Sequence, residues 1–389
     1  MKGWIAPLDP NSQTFLFCSA WRPNNQRMSS PSSQPRGRGA KTNRTGRFEA
    51  QTIETFDDGW NETDGQPPVL RTSLAPEHAK TIIARNESPD IGFDRSINPY
   101  RGCEHGCIYC YARPAHAYVG LSPGLDFESR LFFKADAARI LKRELGRPGY
   151  RAGSIHIGGN TDPYQPSERR LLVTRQIIEV LEAAAHPFSI ITKSALIIRD
   201  ADIIGRMGGR NLARASISIT SLDRKLARIM EPRAATPQRR VDAVAALANA
   251  GAPVNVMFAP VIPGLNDHEL EAVLERAASA GAVSAGYVVL RLPREIKDLF
   301  REWLESELPD RASKVMSLVR QMRGGLDYDP NWGKRMKGEG PIADMLGQRF
   351  AVAKRRFGLD SPLPPLDVSQ FRRPKPDNQP DLFEPAQAS

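Results

Sequence analysis

Nowhere in this chain do apolar residues run on for the roughly 18–20 positions that a membrane-spanning helix needs. The apolar patch Thr14–Trp21 (TFLFCSAW) is too short, and too lightly flanked by charge, to act as a secretory leader. No internal repeat is evident. Cysteine is scarce: four among 389 residues, three of them inside NPYRGCEHGCIYCYARP, residues 98–114. An odd trio excludes a disulfide framework, which needs pairs. These absences predict a cytoplasmic protein without membrane contact, where thiols stay reduced and clustered cysteines bind metal more often than they pair.

Acidic residues are missing mainly at one end. Residues 1–50 hold eight Lys or Arg against Asp9 and Glu49, so six of the ten net positive charges lie there and the other 339 residues carry +4. The overall charge therefore does not argue for a basic catalytic groove. A basic arm of this kind either binds phosphate non-specifically or stays solvated. Residues 1–90 are rich in Ser, Pro, Gly, Asn and Arg, as in MSSPSSQPRGRGAKTNRTGR. That composition buries too little apolar surface to offset chain entropy and predicts a largely disordered N-terminal region. Met28 offers an alternative start to Met1.

Order begins near residue 91. Strand-like runs at Ser96–Tyr100, Ser154–Gly158, Phe188–Thr192, Arg214–Thr220, Val254–Phe258 and Gly286–Leu290 alternate with amphipathic stretches. The helical stretches are Ala135–Leu145, Glu168–Ala185, Arg199–Met207, Pro237–Ala250 and Asp267–Ala280, with another from Arg294 and a further one at Ile342–Phe357. Thr236-Pro237 supplies an N-cap and a first-turn proline, and Gly251 stops the same helix. Six such units predict an α/β fold, a partial (β/α)6 TIM-like barrel over residues 91–325, followed by a C-terminal extension at 326–389. Active sites in such sheets lie at the carboxyl ends of the strands. The cysteine loop follows the first strand, at that end.

The spacing of Cys103, Cys107 and Cys110 is C-x3-C-x2-C. A zinc ion with His105 or His116 as fourth ligand is one reading. Zinc loops usually come as two separated ligand pairs, however, and here three thiols stand within eight residues. An iron–sulfur cluster on three thiolates, with one iron left open, suits the spacing better.

C-x3-C-x-Y-C after the first strand of a β/α barrel resembles the signature of the radical S-adenosylmethionine (SAM) superfamily, and the likeness extends over residues 95–305. The resemblance implies that Cys103, Cys107 and Cys110 hold a 4Fe–4S cluster whose fourth iron is chelated by SAM. One-electron reduction then yields methionine and a 5′-deoxyadenosyl radical, which abstracts hydrogen from a substrate. An electron donor such as flavodoxin or ferredoxin is implied too. Tyr109 matches the aromatic that packs near the adenine. Gly158 and Gly159 match the glycine-rich stretch that receives the methionyl amino group, with Thr161 or Asp162 accepting its hydrogen bonds. Lys193 is placed to pair with the SAM carboxylate, and Ser218 to reach the ribose or carboxylate. Each has a plainer reading as well: a tight βα turn, a solvated strand-end lysine, a core serine.

Thr161–Glu168, TDPYQPSE, resembles one branch in particular, the spore photoproduct lyase group, which reverses a thymine lesion in DNA. This likeness implies DNA, or a nucleotide-like molecule, as substrate. One position departs from the branch. Where that group has a cysteine that returns hydrogen to the product radical, this chain has Asn160. Tyr111 or Tyr164 is then the candidate hydrogen donor, by location. The alternatives are a radical SAM enzyme modifying a protein or small molecule, and a non-catalytic metal module that binds nucleic acid through the basic arm.

Arg101, Arg113, Arg169 and Arg170 lie near strand ends and can act as bidentate phosphate forks or as ordinary salt-bridge partners. The run from Arg113 to Glu128 extends the cysteine loop over the barrel mouth, as a substrate wall or a structural cover. In the tail, Gln379-Pro380-Asp381-Leu382-Phe383 resembles the short peptide that docks bacterial repair proteins on the sliding clamp, with proline in place of the usual leucine at its second position. If Gln379, Leu382 and Phe383 do so here, a peptide spanning Pro374–Pro385 binds the host clamp in fluorescence polarisation. Replacing Leu382 and Phe383 by Ala removes binding, because each buries apolar surface contributing roughly 1.5–3 kcal/mol. No binding at high micromolar clamp would discard the motif.

Overall fold

The structure is a computed structural model and describes residues 37–48 and 70–375. The QPDLF segment lies outside the described residues, as does Cys18. Six strands run parallel: β1 (Arg95–Ile97), β2 (Ile155–Ile157), β3 (Phe188–Thr192), β4 (Ala213–Ser218), β5 (Val254–Val261) and β6 (Ser284–Val289). They pair in sequence order, and the short strand Ala84–Arg85 adds antiparallel to the free edge of β1. This is the expected partial barrel.

The helices follow from the sequence pattern. α1 (Ala137–Leu145), α2 (Val173–Ala183), α3 (Ala201–Gly208), α4 (Arg224–Met230), α5 (Pro237–Asn249) and α6 (Leu270–Ser279) accompany the strands. α7 (Ile296–Glu307), α8 (Pro309–Gln321) and α9 (Pro341–Arg356) come after them. Strand alternation sets the two faces. In β4, Ala213, Ala215 and Ile217 join the main core beneath the helices, and Arg214, Ser216 and Ser218 take the concave side.

Local chemistry moved several boundaries. The first strand ends at Ile97, because Pro99 offers no N–H to continue the ladder. Tyr100–Arg101 instead pairs antiparallel with Arg130–Phe133, which pairs parallel with Ser73–Pro76, in a separate small sheet. The helix expected over 168–185 breaks at Leu172, whose φ is 55°. The Glu168 carboxylate causes the break: it accepts from the N–H groups of Thr174 (3.0 Å) and Arg175 (3.3 Å) and so caps α2. α4, absent from the sequence reading, is capped by Asp223, which accepts from Lys225 and Leu226. Thr236 occupies the N-cap position of α5 with no side-chain capping bond, while Gly251, at φ 90°, ends that helix as expected.

A second apolar core sits at the carboxyl ends of the strands. Ile108, Leu226, Met230, Ile262, Leu292, Phe300 and Trp303 build it, with Cys107 and Tyr109 at its edge. The cysteine loop is therefore rooted in packed hydrocarbon.

Part of the region whose composition predicts disorder is tightly packed. Residues 37–48 form a strap over the cysteine loop. Arg38 donates to the carbonyls of Glu128 (2.6 Å) and Leu70 (2.7 Å). The N–H groups of Gly39 and Ala40 donate to the Glu128 carboxylate at 2.9 and 2.8 Å. Composition averaged over ninety positions hid this anchor, which depends on one buried carboxylate and on close backbone approach. A Cβ on Gly39 would lie 1.8 Å from the carbonyl oxygen of Gly106, so only glycine fits. Gly39→Ala should lift the strap and strand the buried Glu128 acceptors, at a cost of about 1–3 kcal/mol. The check is limited trypsinolysis, which should cut faster after Lys41 and Arg44; an unchanged cutting rate would refute the anchoring role.

Candidate active site

The three cysteines occupy the loop between Arg101 and the turn Arg113–Val119, over the carboxyl ends of β1–β4. Cys103 and Cys107 are each 7% exposed and Cys110 is half-buried; all three are unpaired. Burial pushes all three thiols up. The Asp162 charge and the other two thiols add to this at Cys103, and the Glu231 charge adds to it at Cys107. Opposing it, Lys193 favours the thiolates of Cys107 and Cys110, and Arg113 favours that of Cys110. Backbone N–H groups of Ala112 and Arg113 also point at the Cys110 sulfur. Metal binding at such a site must displace protons from all three sulfurs.

The geometry bears on which metal fits. Ligands of one zinc ion, 2.3 Å from it, have sulfurs about 3.8 Å apart. Among the described residues no three His, Cys, Asp or Glu side chains form a group that could hold a metal ion. Neither candidate histidine groups with the cysteines as a metal site, although His116 Nδ1 is buried with no hydrogen-bond partner. His105 Nδ1 lies 3.3 Å from Asp162, and His116 Nε2 lies 2.9 Å from the Arg130 carbonyl. Three soft donors within eight residues suit a cluster with one open iron.

Asp162 is the most heavily bonded of the anticipated site residues. Its Oδ1 accepts from the Thr192 hydroxyl (2.6 Å) and the Tyr164 N–H (2.9 Å). Its Oδ2 accepts from the Lys193 N–H (2.8 Å) and faces His105. A carboxylate offers about four acceptor sites, and here the chain's own donors take them all. Burial opposes its ionisation, but His105, Thr192 and Lys193 outweigh that and hold its pKa at about 2. Thr161 is similarly engaged, donating to the Tyr100 carbonyl at 2.8 Å.

The other anticipated residues are less heavily bonded. Lys193 Nζ lies 5.7 Å from the centroid of the Tyr109 ring, and no carboxylate pairs with it among the described residues. Ser218 ends β4, one strand over from Lys193. Gly158, with φ 93°, makes the turn after β2, where a Cβ would meet the Ile191 carbonyl at 2.7 Å. Gly159 gives its carbonyl to the Tyr111 hydroxyl, and Asn160 beside it is exposed. Tyr111 is thus at the mouth. Tyr164 is not: it is wholly buried in the main core.

Sequence reasoning missed the buried polar residues that hold the loop. Gln165 accepts from the Glu104 N–H at 2.8 Å and donates to the Gly102 carbonyl at 3.4 Å. Glu231 takes hydrogen bonds from Tyr109, Thr220 and Arg240. Arg240 also donates to the carbonyls of Ala235 (2.8 Å) and Ser218 (3.1 Å). The crowding of polar residues between prolines in TDPYQPSE was the available signal. Arg113 is not a phosphate fork. It is fully buried, paired with Glu128, and donates to the carbonyls of Cys107, Pro123 and Gly124. The run it begins is a structural cover. Arg101 pairs with Glu77 at 2.7 Å.

A parallel six-stranded partial barrel with a buried three-cysteine loop at the strands' carboxyl ends defines a class of cluster-bearing α/β proteins. The chain belongs to the radical SAM superfamily, whose sequence model matches residues 97–277. It is therefore an enzyme that uses a 4Fe–4S cluster and SAM, and it requires a reductant. An uncharacterised protein of Mycobacterium bovis is 34% identical over 290 residues, covering 72% of this chain and 82% of that one. One from Methanocaldococcus jannaschii is 26% identical over 214 residues, 55% and 76% of the two chains. Among solved structures, spore photoproduct lyase complexed with dinucleoside spore photoproduct shares the fold, with TM-score 0.50 and 15% identity, over 73% of this chain and 79% of that one. Among the described residues no helix is long and apolar enough to cross a membrane.

Two substitutions separate ligand binding from loop fastening. If Lys193 receives the SAM carboxylate, Lys193→Ala should weaken SAM binding roughly ten- to a hundred-fold with iron content unchanged, as one charge-assisted contact is lost. Asp162→Asn should lower iron retention as well, because it weakens the tie between His105 of the cysteine loop and the segment after β2. With a folded pKa near 2 against 3.8 in the free chain, Asp162 adds about 2 kcal/mol of stability. That contribution is complete above about pH 4 and is lost as the pH falls towards 2, so wild type and variant should converge in acid denaturation. Equal iron content in the two proteins would show that Asp162 does not fasten the loop.

Proposed function

We propose that this radical SAM enzyme acts on DNA or a nucleotide-like substrate. Cys103, Cys107 and Cys110 would hold the cluster, which when bound supplies the electron that cleaves SAM reductively. Lys193 and Ser218 would receive the SAM carboxylate and ribose, the main chain of Gly158 and Gly159 its amino group, and the Tyr109 ring its adenine. Asp162 and Thr161 would act at one remove, positioning Lys193, His105 and the strand ends.

The observation that carries the substrate reading is the placement of TDPYQPSE, the segment that resembles the spore photoproduct lyase branch. Its polar side chains bond directly to the cysteine loop and its approach strand: Asp162 to His105, Gln165 to Glu104 and Gly102, and Glu168 to the Tyr100 hydroxyl. A segment so joined to the site is a poor candidate for chance likeness. The shared fold is consistent with this and adds nothing about substrate. Asn160 favours the second reading, a protein or small-molecule substrate, because it lacks the weak S–H bond of the branch's cysteine. Tyr111, whose hydroxyl meets the carbonyl next to Asn160, is the proposed hydrogen donor in its place. A flavodoxin or ferredoxin would supply electrons, and the tail would tether the enzyme to a sliding clamp.

Anaerobically reconstituted protein with SAM and a strong reductant should yield 5′-deoxyadenosine and methionine. Cys103→Ala, Cys107→Ala or Cys110→Ala should each abolish this, and Cys18→Ala should not. Deuterated oligonucleotides, with and without ultraviolet lesions, should pass deuterium to the deoxyadenosine. Tyr111→Phe should leave SAM cleavage intact and slow the return of hydrogen to product. Label transfer from no oligonucleotide, with cleavage intact, would remove the DNA reading.

A further inference from the structure

The end of the N-terminal strap builds a feature that cofactor chemistry does not use. The Arg47 guanidinium lies 4.7 Å from the ring centroid of Phe48 and 5.0 Å from that of Tyr118. The two rings are 5.3 Å apart and inclined by 41°. Arg47 is fixed from below, with Nη1 donating to the Pro114 carbonyl (3.3 Å) and to Glu295 (3.1 Å). Its Nε and Nη2 are covered and have no hydrogen-bond partner. The rings themselves are open: Phe48 is 60% and Tyr118 65% exposed, and neither belongs to a core cluster. Arg294, exposed and held at φ 57°, stands with Arg47 beside the Tyr118 hydroxyl, and no carboxylate pairs with it among the described residues.

A similar pair stands across the cysteine loop. Arg291 lies 5.1 Å from the centroid of the Tyr111 ring, itself 46% exposed. All these groups occur at the barrel mouth. Tyr111 precedes the turn Arg113–Val119 and Tyr118 lies within it, and Arg291 and Arg294 lie in the segment following β6. Packing does not explain three large rings left open here, each with a guanidinium against it. Open ring faces are stacking surfaces for flat groups, and a nearby guanidinium suits phosphate.

We propose that this rim, built jointly by the strap, the turn after the cysteines and the segment after β6, docks single-stranded DNA. Unpaired bases stack on Phe48 and Tyr118, and Arg294 meets a backbone phosphate. A continuous duplex hides its base faces and offers the rings nothing to stack on. An acidic peptide would engage the arginines and leave the rings idle. The strap thereby becomes part of the enzyme's working surface, which its composition conceals. The proposal rests on the DNA reading above.

The test is fluorescence anisotropy of the full chain with a labelled single strand of about 12 nucleotides. Phe48→Ala and Tyr118→Ala should each weaken binding roughly five- to a hundred-fold. Arg294→Gln should flatten the dependence on salt by about 0.7 in the log–log slope, one phosphate contact. Both rings are mostly exposed, so melting temperature should hold, and SAM cleavage without DNA should stay at the wild-type rate. Equal affinity in both ring variants would overturn the proposal, as would tighter binding of a duplex, of RNA or of an acidic peptide. The two readings fail separately. Rim-dependent binding without deuterium transfer from DNA would leave the docking surface standing and remove DNA as substrate. Transfer from DNA with unaltered binding in the variants would do the reverse.

Discussion

The buried carboxylate of Asp162 joins three parts of the chain that must agree before any chemistry is possible. It sits after β2, takes the hydroxyl of Thr192 and the N–H of Lys193 from the end of β3, and faces His105 in the cysteine loop. Removing such a charge from water is costly unless donors surround it. Those donors exist only when the loop is seated and both strands end in register. The loop's position is therefore coupled to the barrel through one desolvated group.

The same logic recurs around the loop at larger radius. Gln165 satisfies backbone groups on either side of Cys103, and Glu231 anchors the Tyr109 hydroxyl from below. The Arg113–Glu128 pair, fully buried, fixes the cover over the loop and holds the strap by two backbone N–H groups. Each of these polar groups is satisfied by several partners, which is what makes a buried network rigid. Rigidity suits a cluster site, whose ligands are best held in place before the metal arrives.

Electrostatically the site is divided. Asp162 and Glu231 disfavour the thiolates of Cys103 and Cys107, while Lys193 and Arg113 favour those of Cys107 and Cys110. Of the two cations only Lys193 is free of a carboxylate partner among the described residues, and it lies against the Tyr109 ring. An anionic ligand group entering above the cysteines meets this one uncompensated charge. Further out, the mouth is lined by arginines against aromatic rings, so polarity and stacking capacity increase from the cysteines towards solvent.

How much of this was legible depended on the range over which each cause acts. The C-x3-C-x2-C spacing is local, and so was the period of six β/α units. The cysteine trio, the partial barrel and the strand-end placement of Lys193 and Ser218 could accordingly be read from the chain. The strand break at Pro99 and the helix break at Leu172 needed more, since Tyr100 pairs with a distant strand and Glu168 reaches forward to cap α2. Sequence gave Tyr111 and Tyr164 equal standing as neighbours of the site; burial separated them, placing one at the mouth and the other in the core. Nor could spacing reveal that the acceptor sites of Asp162 are taken, that Arg113 spends its donors inside the loop, or that residues 37–48 are packed. These outcomes depend on which groups meet across tens or hundreds of residues. The sequence alone determined the chemistry the loop can host, because ligand type and spacing are written in it. Only the tertiary structure decided which polar residues hold that loop and which remain open to a ligand, because burial assigns a side chain's hydrogen bonds to protein or to solvent.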